Sequence, residues 1–341
     1  MNIYFNHSFT QTAKIVELLR DNPNKEKFHI VMSQDKENKY LSEVADVLER
    51  EPLLEGISYI AYLVDVCLRH KIDVFIPRKH MTLISKHRNS FEEIGVKVLF
   101  MGSDYVYELL NDKVKTYEDL KNESIVGIPT TYTITSLADF QEAYKGIVNE
   151  GNKACMKPIS GIGGAGFKVI KESLTPLEEL YITSSSSIAR ERIEYVLGKH
   201  EKVEPFMMSA FLEGEEFSID CLAKNGELII GIPRKKIDRY RQTIEYKPEL
   251  MEIAKVLTKR YNLSYLYNVQ VRFHKGKWYL IEINTRMSGG LYKSCLTGVN
   301  LPYEAIQLLV NDNNHPTATQ PNEDIELYSK NSFGVKILTR G

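Results

Sequence analysis

Short apolar runs alternate with amphipathic stretches at the start of the chain. "NIYFN", "FHIVMS", "DVFIP" and "VKVLF" read as strands, while "TQTAKIVELLR" and "ISYIAYLVDVCLRH" read as helices with one apolar face. Up to about residue 102 this alternation predicts a parallel sheet flanked by helices. From Ser103 to Val148 the period turns helical in "DYVYELLND", "KTYEDLKN" and "SLADFQEAYKGIV", with Ser136 placed to cap the last. After Asn152 strands dominate: "KACMKPI", "GFKVI", "PFMMSAF", "EEFSIDCLAK" and "ELIIGIP", broken by a helix around "SSSIARERIEYVLG". Asn225-Gly226 marks a tight hairpin, because both residue types tolerate positive φ. A second hairpin joins "YLYNVQVRFH" to "KWYLIEIN" across Lys275-Gly276, and "NDNNHPTATQPNED" reads as a surface loop. The whole reads as mixed α/β and α+β.

Composition narrows the class. At 341 residues the chain exceeds one typical domain, and with 43% hydrophobic and 26% charged residues it has the make-up of a soluble globular protein. A formal net charge of -1 supplies no global field toward nucleic acid or an anionic membrane, so any phosphate must be met by a local cluster of cations. Cys67, Cys155, Cys221 and Cys295 lie far apart with no CxxC spacing, which points to buried free thiols and away from zinc. Neither a basic leader at the start nor a run approaching ~18 apolar residues is seen, so a cytoplasmic protein is expected. The turn after the first strand, "NHSFTQT", lacks the glycine fingerprint of a nicotinamide site.

Three stretches carry candidate chemistry. In "YLIEINTRMSGG" a strand places Glu282, Asn284 and Arg286 on alternate positions, and Gln270 falls on the paired strand. A carboxylate and amide carbonyls converging there would be hard oxygen ligands for Mg²⁺; a solvated strand end is the alternative. In "KPISGIGGAGF" Lys157 precedes a turn containing Gly161, Gly163, Gly164 and Gly166, whose amides could close over phosphates without a Cβ in the way. No Lys-Ser/Thr follows the glycines, so the turn is a hairpin lid or an unliganded loop, not a Walker cradle. In "SAFLEGEEFSID" a hinge from Ser209 to Leu212 exposes backbone groups that can read an adenine edge, and Glu216 could accept ribose hydroxyls; an acidic hairpin is the plainer reading.

In this order and spacing, a lysine before a glycine lid, a hinge followed by Gly-x-Glu, and Gln…Glu-x-Asn-x-Arg resemble the ATP-grasp superfamily, closest to its carbamoyl-phosphate-synthetase-like branch. The resemblance spans about Ser103 to Val310. It implies a Rossmann-like pre-ATP-grasp lobe over 1–102, a first ATP-grasp subdomain with the lid over 103–205, and a C-terminal subdomain with the metal site over 206–341. Carried over residue by residue, it implies phosphate-binding lysines at Lys113 and Lys157, a lid from Ser160 to Phe167, and adenine contacts along Ser209, Ala210, Phe211 and Leu212. It further implies ribose at Glu216 and magnesium at Glu282 and Asn284, with Gln270 in a slot that is an acid in many relatives. Ser209 departs from the acid or glutamine often found at the hinge start.

A triphosphate brings about four negative charges, and unit charges 4 Å apart interact by about 4 kcal/mol at an effective dielectric near 20, so cations must gather locally. "PRKKIDRYR" supplies Arg234, Lys235, Lys236, Arg239 and Arg241, and Arg286 follows the metal ligands. Arg234 and Lys236 would share a strand face, one of them reaching the γ-phosphate, whereas Arg239 and Arg241 read as a solvated basic loop. The implied chemistry is ATP- and Mg²⁺-dependent (Mn²⁺ as a substitute) activation of a carboxylate as an acyl-phosphate, then attack by an amine, with Arg234, Lys236 and Arg286 as the catalytic cations. Gly289 and Gly290 would let backbone amides approach the acid, or would only begin a helix. A bicarbonate-activating carboxylase or carbamoyl-phosphate-type enzyme, and a non-catalytic ATP-binding protein, are the other readings. The partners expected are small-molecule acids and amines, not nucleic acid or membrane, with a homodimer left open.

Overall fold

The computed structural model describes residues 1–159, 166–181, 187–238, 240–311, 321 and 325–328. Five strands, β1 (Asn2–Phe5), β2 (His29–Gln34), β3 (Val47–Arg50), β4 (Val74–Ile76) and β5 (Lys97–Val98), form a sheet in the order β3-β2-β1-β4-β5 with every pairing parallel. Parallel strands are covered on both faces, and Ile3 to Phe5 and Val74 to Ile76 are accordingly apolar without alternation and fully buried. "VKVLF" pairs over only two residues, although Leu99, Phe100 and Met101 remain buried. The helices Thr10–Arg20 and Gly56–Arg69 bury one stripe each, the second through Tyr59, Ile60, Leu63, Val66 and Cys67.

Behind the ends of β1 and β2 lies a buried carboxylate. Glu51 accepts the His7 amide (2.7 Å) and the Ser33 hydroxyl (2.7 Å) on one oxygen, and the Tyr59 hydroxyl (2.8 Å) and His7 Nδ1 (3.3 Å) on the other. Burial pushes its pKa up, but the bonds from His7, Ser33 and Tyr59 outweigh that and hold it at about 2. A depressed carboxylate stabilises the fold above its unfolded pKa and loses that contribution as pH falls through its folded one. A shift from 4.5 to about 2 corresponds to about 3 kcal/mol. Acid unfolding followed between pH 5 and pH 2 is therefore expected to lose this increment in the wild type, and Glu51→Gln to flatten that slope.

The second sheet contains β6 (Thr131–Ile134), β7 (Ala154–Pro158), β8 (Lys168–Lys171), β9 (Ser187–Ala189) and β10 (Phe206–Ala210), ordered β6-β10-β7-β8-β9. Two expectations are corrected here. The stretch from Ser103 to Val148 is not wholly helical, because "TYTI" at 131–134 pairs antiparallel with β10; its β-branched threonines and isoleucine suit a pleated surface. The helix expected around 184–198 starts only at Arg190, since Ser187 to Ala189 pair in parallel with β8; residues 182–186 lie outside the described residues. Ser136 does cap the helix Leu137–Asn149, accepting from the Asp139 amide.

The third sheet is built from β11 (Glu216–Lys224), β12 (Glu227–Lys236), β13 (Arg241–Ile244), β14 (Tyr265–His274), β15 (Lys277–Asn284) and β16 (Glu326–Tyr328), ordered β15-β14-β11-β12-β13-β16. Both hairpins turn where expected: φ is +48° and +80° at Asn225 and Gly226, and +45° and +80° at Lys275 and Gly276. The basic run lies on a strand as expected for Arg234 and Lys236, whereas Arg241, expected in a loop, lies on a strand of its own. Arg234, Lys235 and Lys236 belong to β12 itself and Arg241 opens β13, so strand alternation fixes where each charge points. Arg239 and most of the loop expected at 311–324 lie outside the described residues.

The chain divides into two compact units, one of residues 1–111, 216–270 and 282–341, the other of residues 112–215 and 271–281. In the first, one apolar core joins Ile3, Phe5, Ile30 and Ile76 of the parallel sheet to Leu222, Ile232, Ile244 and Leu266 of the third sheet. Its helix Leu301–Val310 adds Leu301, Tyr303, Ile306 and Leu308. In the second, Phe140, Ile147, Met156, Ile170, Leu197 and Met208 form a separate core. All four cysteines are free and buried. No helix among the described residues is long and apolar enough to cross a membrane.

Candidate functional site

In the first unit, alternate residues of β11 put Glu216, Ser218 and Asp220 on one face, and the β12 register sets Lys236 opposite Glu216 and Arg234 opposite Ser218. Asn268 and Gln270 from β14 and Glu282 and Asn284 from β15 extend this face. Asn268 Nδ2 donates to Asp220 Oδ1 (2.8 Å) and Ser218 Oγ (3.0 Å), while its Oδ1 accepts from Gln270 Nε2 (3.3 Å) and Asn284 Nδ2 (3.4 Å). Asn284 Nδ2 also donates to Glu282 Oε1 at 2.9 Å. The three residues expected as metal ligands thus belong to one hydrogen-bonded surface. Their amide nitrogens are spent on protein acceptors, so the amide oxygens of Gln270 and Asn284 are the ends that could meet a hard cation beside the Glu282 carboxylate.

Deeper on the face lies a buried ion pair. Asp220 is fully buried and Arg234 is 4% exposed. Asp220 Oδ2 accepts from Arg234 Nη2 (2.8 Å), Arg234 Nε (3.0 Å) and Ser294 Oγ (2.6 Å), and its Oδ1 from Ser288 Oγ (2.7 Å). Arg234 donates further to Gln242 Oε1 (2.7 Å) and Ser288 Oγ (3.2 Å). Both charges are surrounded by partners, which is the condition under which a buried pair is tolerated.

A cavity of about 380 Å³ opens over this network. Glu216, Arg234, Lys236, Gln270 and Lys293 are among its lining residues, with Gly289 and Gly290 at its wall. Burial, and then the Arg234 charge, lower the pKa of Lys293, while Lys236 stands 3.7 Å from Glu216. Gly290 both lines the cavity and precedes the short helix Leu291–Ser294. A Cβ there would come within 2.7 Å of Arg234 Nη1 and 3.0 Å of its Cζ. Gly290→Ala is therefore expected to push the guanidinium off Asp220, costing about 1–3 kcal/mol of stability by denaturant titration. Arg286 is partly buried, and burial lowers its pKa against the opposing pull of Glu282.

The second unit holds the rest of the expected nucleotide residues. Lys157 lies on β7 opposite Met207 of β10, two residues from Cys155, which faces Ser209. Burial raises the Cys155 thiol pKa, while the Ser209 bond and the charges of Lys157 and Arg272 pull it back. At the hinge the Phe211 amide donates to the Lys153 carbonyl (2.7 Å), and the Leu212 carbonyl accepts from Arg272 Nη1 (2.7 Å). Ala210 and Leu212 are buried. Gly214 is required by close approach, since a Cβ would sit 1.9 Å from the Phe273 carbonyl oxygen. Lys113 opens the helix Lys113–Leu120, which Asp112 caps. Of the expected lid, Ser160, Gly161, Gly163 and Gly164 lie outside the described residues, and Gly166 has a φ of +75°.

Sequence reasoning overlooked Asp220, Ser218, Asn268, Ser288, Ser294, Gln242, Lys293 and Arg272. Ser218 and Asp220, alternating with apolar residues in "FSIDC", and Asn268 two residues before Gln270, were the available signals. The serines come from loops whose placement depends on the fold.

Residues 202–332 match the family described as "ATP-grasp in the biosynthetic pathway with Ter operon". The chain is 23% identical over 234 residues to the carbamoyl phosphate synthase large chain of Clostridium acetobutylicum, covering 64% of this chain and 20% of that protein. It thus spans about a fifth of the length of that relative. Among solved structures it is similar to an L-amino acid ligase from Bacillus licheniformis (TM-score 0.63, 16% identity, 91% of this chain and 74% of that one). It is also similar to the biotin carboxylase domain of Hydrogenobacter thermophilus 2-oxoglutarate carboxylase, in complex with MgADP, ADP and bicarbonate (TM-score 0.60, 17% identity, 95% and 72%). The family match thus covers the C-terminal part of the chain, and the likeness to the solved structures shows a shared fold.

Proposed function

We propose that the protein is an ADP-forming ligase that activates a carboxylate as an acyl-phosphate and joins it to an amine. The observation that carries this reading is the hydrogen-bonded surface of Glu282, Asn284 and Gln270 beside a cavity lined by Arg234, Lys236 and Lys293. Its donor set fits magnesium: one carboxylate and amide oxygens leave room for water and phosphate ligands, as this ion prefers. Among the described residues no group of three or more His, Cys, Asp or Glu could hold a metal ion. Mg²⁺, or Mn²⁺ in its place, would be held by Glu282, Asn284 and Gln270 and would supply positive charge against the charge developing during transfer.

In this reading the N-terminal 1–102 is the Rossmann-like pre-ATP-grasp lobe, and 103–205 and 206–341 are the two ATP-grasp subdomains. Lys113 and Lys157 meet phosphates, the 160–167 lid covers them, the Ser209–Leu212 hinge reads adenine, and Glu216 holds ribose. Lys236 and Arg286 stabilise the transferring phosphoryl group and the acyl-phosphate. The Arg234 donors are taken up by Asp220, Ser288, Ser294 and Gln242, so it shapes the cavity wall at Gly290 rather than meeting the phosphoryl group. A cytoplasmic setting, small acids and amines as partners, and a homodimeric assembly complete the reading. Bicarbonate as the activated acid is the second reading, favoured by the bicarbonate-bound neighbour and the carbamoyl phosphate synthase relative.

A matrix of acids against amines, with MgATP and a phosphate-release readout, tests the proposal. Release is expected only where a matching acid and amine are both present. Release with bicarbonate alone would select the second reading, and MgATP binding without release in any well would leave a binding protein.

A further inference from the structure

The parallel sheet contains an unexplained cation. In the order β3-β2-β1-β4-β5 the chain leaves β1 on one side for β2 and β3 and returns on the other for β4, so the topological switch point lies between β1 and β4. In open α/β sheets ligands settle at the carboxyl ends of the strands at such a point. The loops leaving those ends are tied together: Asn6 Oδ1 accepts the Arg78 amide (2.7 Å), and Asn6 Nδ2 donates to the Lys79 carbonyl (3.1 Å) and to the Tyr59 hydroxyl (2.8 Å). His7 in one loop and His80 in the other hold φ of +42° and +59°, conformations non-glycine residues seldom adopt, and Lys79 Nζ lies 3.2 Å from His7 Nε2.

Arg78 is 5% exposed, yet its buried Nε and Nη1 have no hydrogen-bond partner. The nearby carboxylate of Glu51 is taken up by His7, Ser33 and Tyr59. Among the described residues Arg78 forms no ion pair, and burial followed by the like charge of Arg286 lowers its pKa to about 10. Arg286, from the segment after β15, likewise forms no ion pair among the described residues. A buried guanidinium without an anion is strongly unfavourable, and a second guanidinium beside it makes it more so. A planar fork left open at a ligand-binding position, with a second guanidinium acting on it, fits an oxyanion.

We propose that Arg78 and Arg286 bind the carboxylate or phosphate group of the protein's small-molecule acid substrate at the β1/β4 switch point. The anion site follows from the two arginines alone; that its occupant is a substrate rests on the ligase reading.

Thermal unfolding of the full chain, with chloride replaced by succinate or by inorganic phosphate at constant ionic strength, tests it. MgADP affinity is measured alongside. The wild type is expected to gain roughly 3–5 °C with at least one of these anions. Arg78→Met and Arg286→Met should each lose that gain, and Arg78→Met should keep MgADP affinity within about threefold. Without anion, Arg78→Met should melt no lower than the wild type, because an unpaired buried charge has been removed. A gain with succinate alone assigns a carboxylate, and one with phosphate alone a phosphate. No gain with either anion, an equal gain in the Arg78→Met protein, or a lower anion-free melting point in Arg78→Met would overturn the proposal. If no protein binds MgADP but the anion gain still depends on both arginines, the ligase reading fails and the anion site stands.

Discussion

Glu282→Ala is expected to reduce turnover at least about 10³-fold, equivalent to roughly 4 kcal/mol of transition-state stabilisation. Glu282 supplies the carboxylate beside Asn284 and Gln270, and its Oε1 also accepts from the Asn284 amide. Removing it takes away a hard anionic ligand and the group that orients the second ligand. The loss should appear in kcat/KM for ATP, with partial recovery at raised Mg²⁺ concentration. Lys235→Ala is the matched control. Lys235 alternates with Arg234 and Lys236 on β12, and its ammonium pairs with Glu245 at 3.3 Å, so its removal should cost less than about threefold. Equal, small losses in both variants would discredit the metal assignment.

The largest stability effect is expected at Asp220. In Asp220→Ala, Arg234 would stay buried without its counter-charge, and Ser288 and Ser294 would each lose an acceptor. Breaking a buried pair from one side typically costs about 3–5 kcal/mol, visible as a lower urea midpoint at unchanged slope. Removing both partners is a different matter, because no orphan charge remains. The double variant Asp220→Leu, Arg234→Met should recover much of that stability while losing turnover, since the cavity wall at Gly290 is set against the guanidinium. A double variant as unstable as Asp220→Ala would show that the network does more than shield two charges.

Much of this surface was legible because strand geometry makes it so. Glu282, Asn284 and Gln270 could be placed together from a two-residue period and a hairpin at Lys275-Gly276, which needs no tertiary information. The parallel sheet was equally visible in strands without polar alternation, such as Ile3 to Phe5. Asp220 was harder: in "EEFSIDCLAK" an acid amid apolar residues gives no hint that an arginine 14 residues later will bury against it. The strand Thr131–Ile134 was hidden because it is flanked by helices and gains its partner, β10, only through a long-range contact. Arg78 had no motif at all. Its oddity, a guanidinium with nothing to bond, exists only once the loops after β1 and β4 are side by side.

The central claim is that a carboxylate oxygen attacks the γ-phosphorus of ATP on this protein. Once the acid and amine have been found, the reaction run with ¹⁸O in the acid's carboxyl group, followed by mass analysis of the released phosphate, tests this most directly. One ¹⁸O per phosphate, with ADP formed one-for-one and none in Glu282→Ala, is the result this account predicts. Unlabelled phosphate at the same turnover, or AMP in place of ADP, would contradict it.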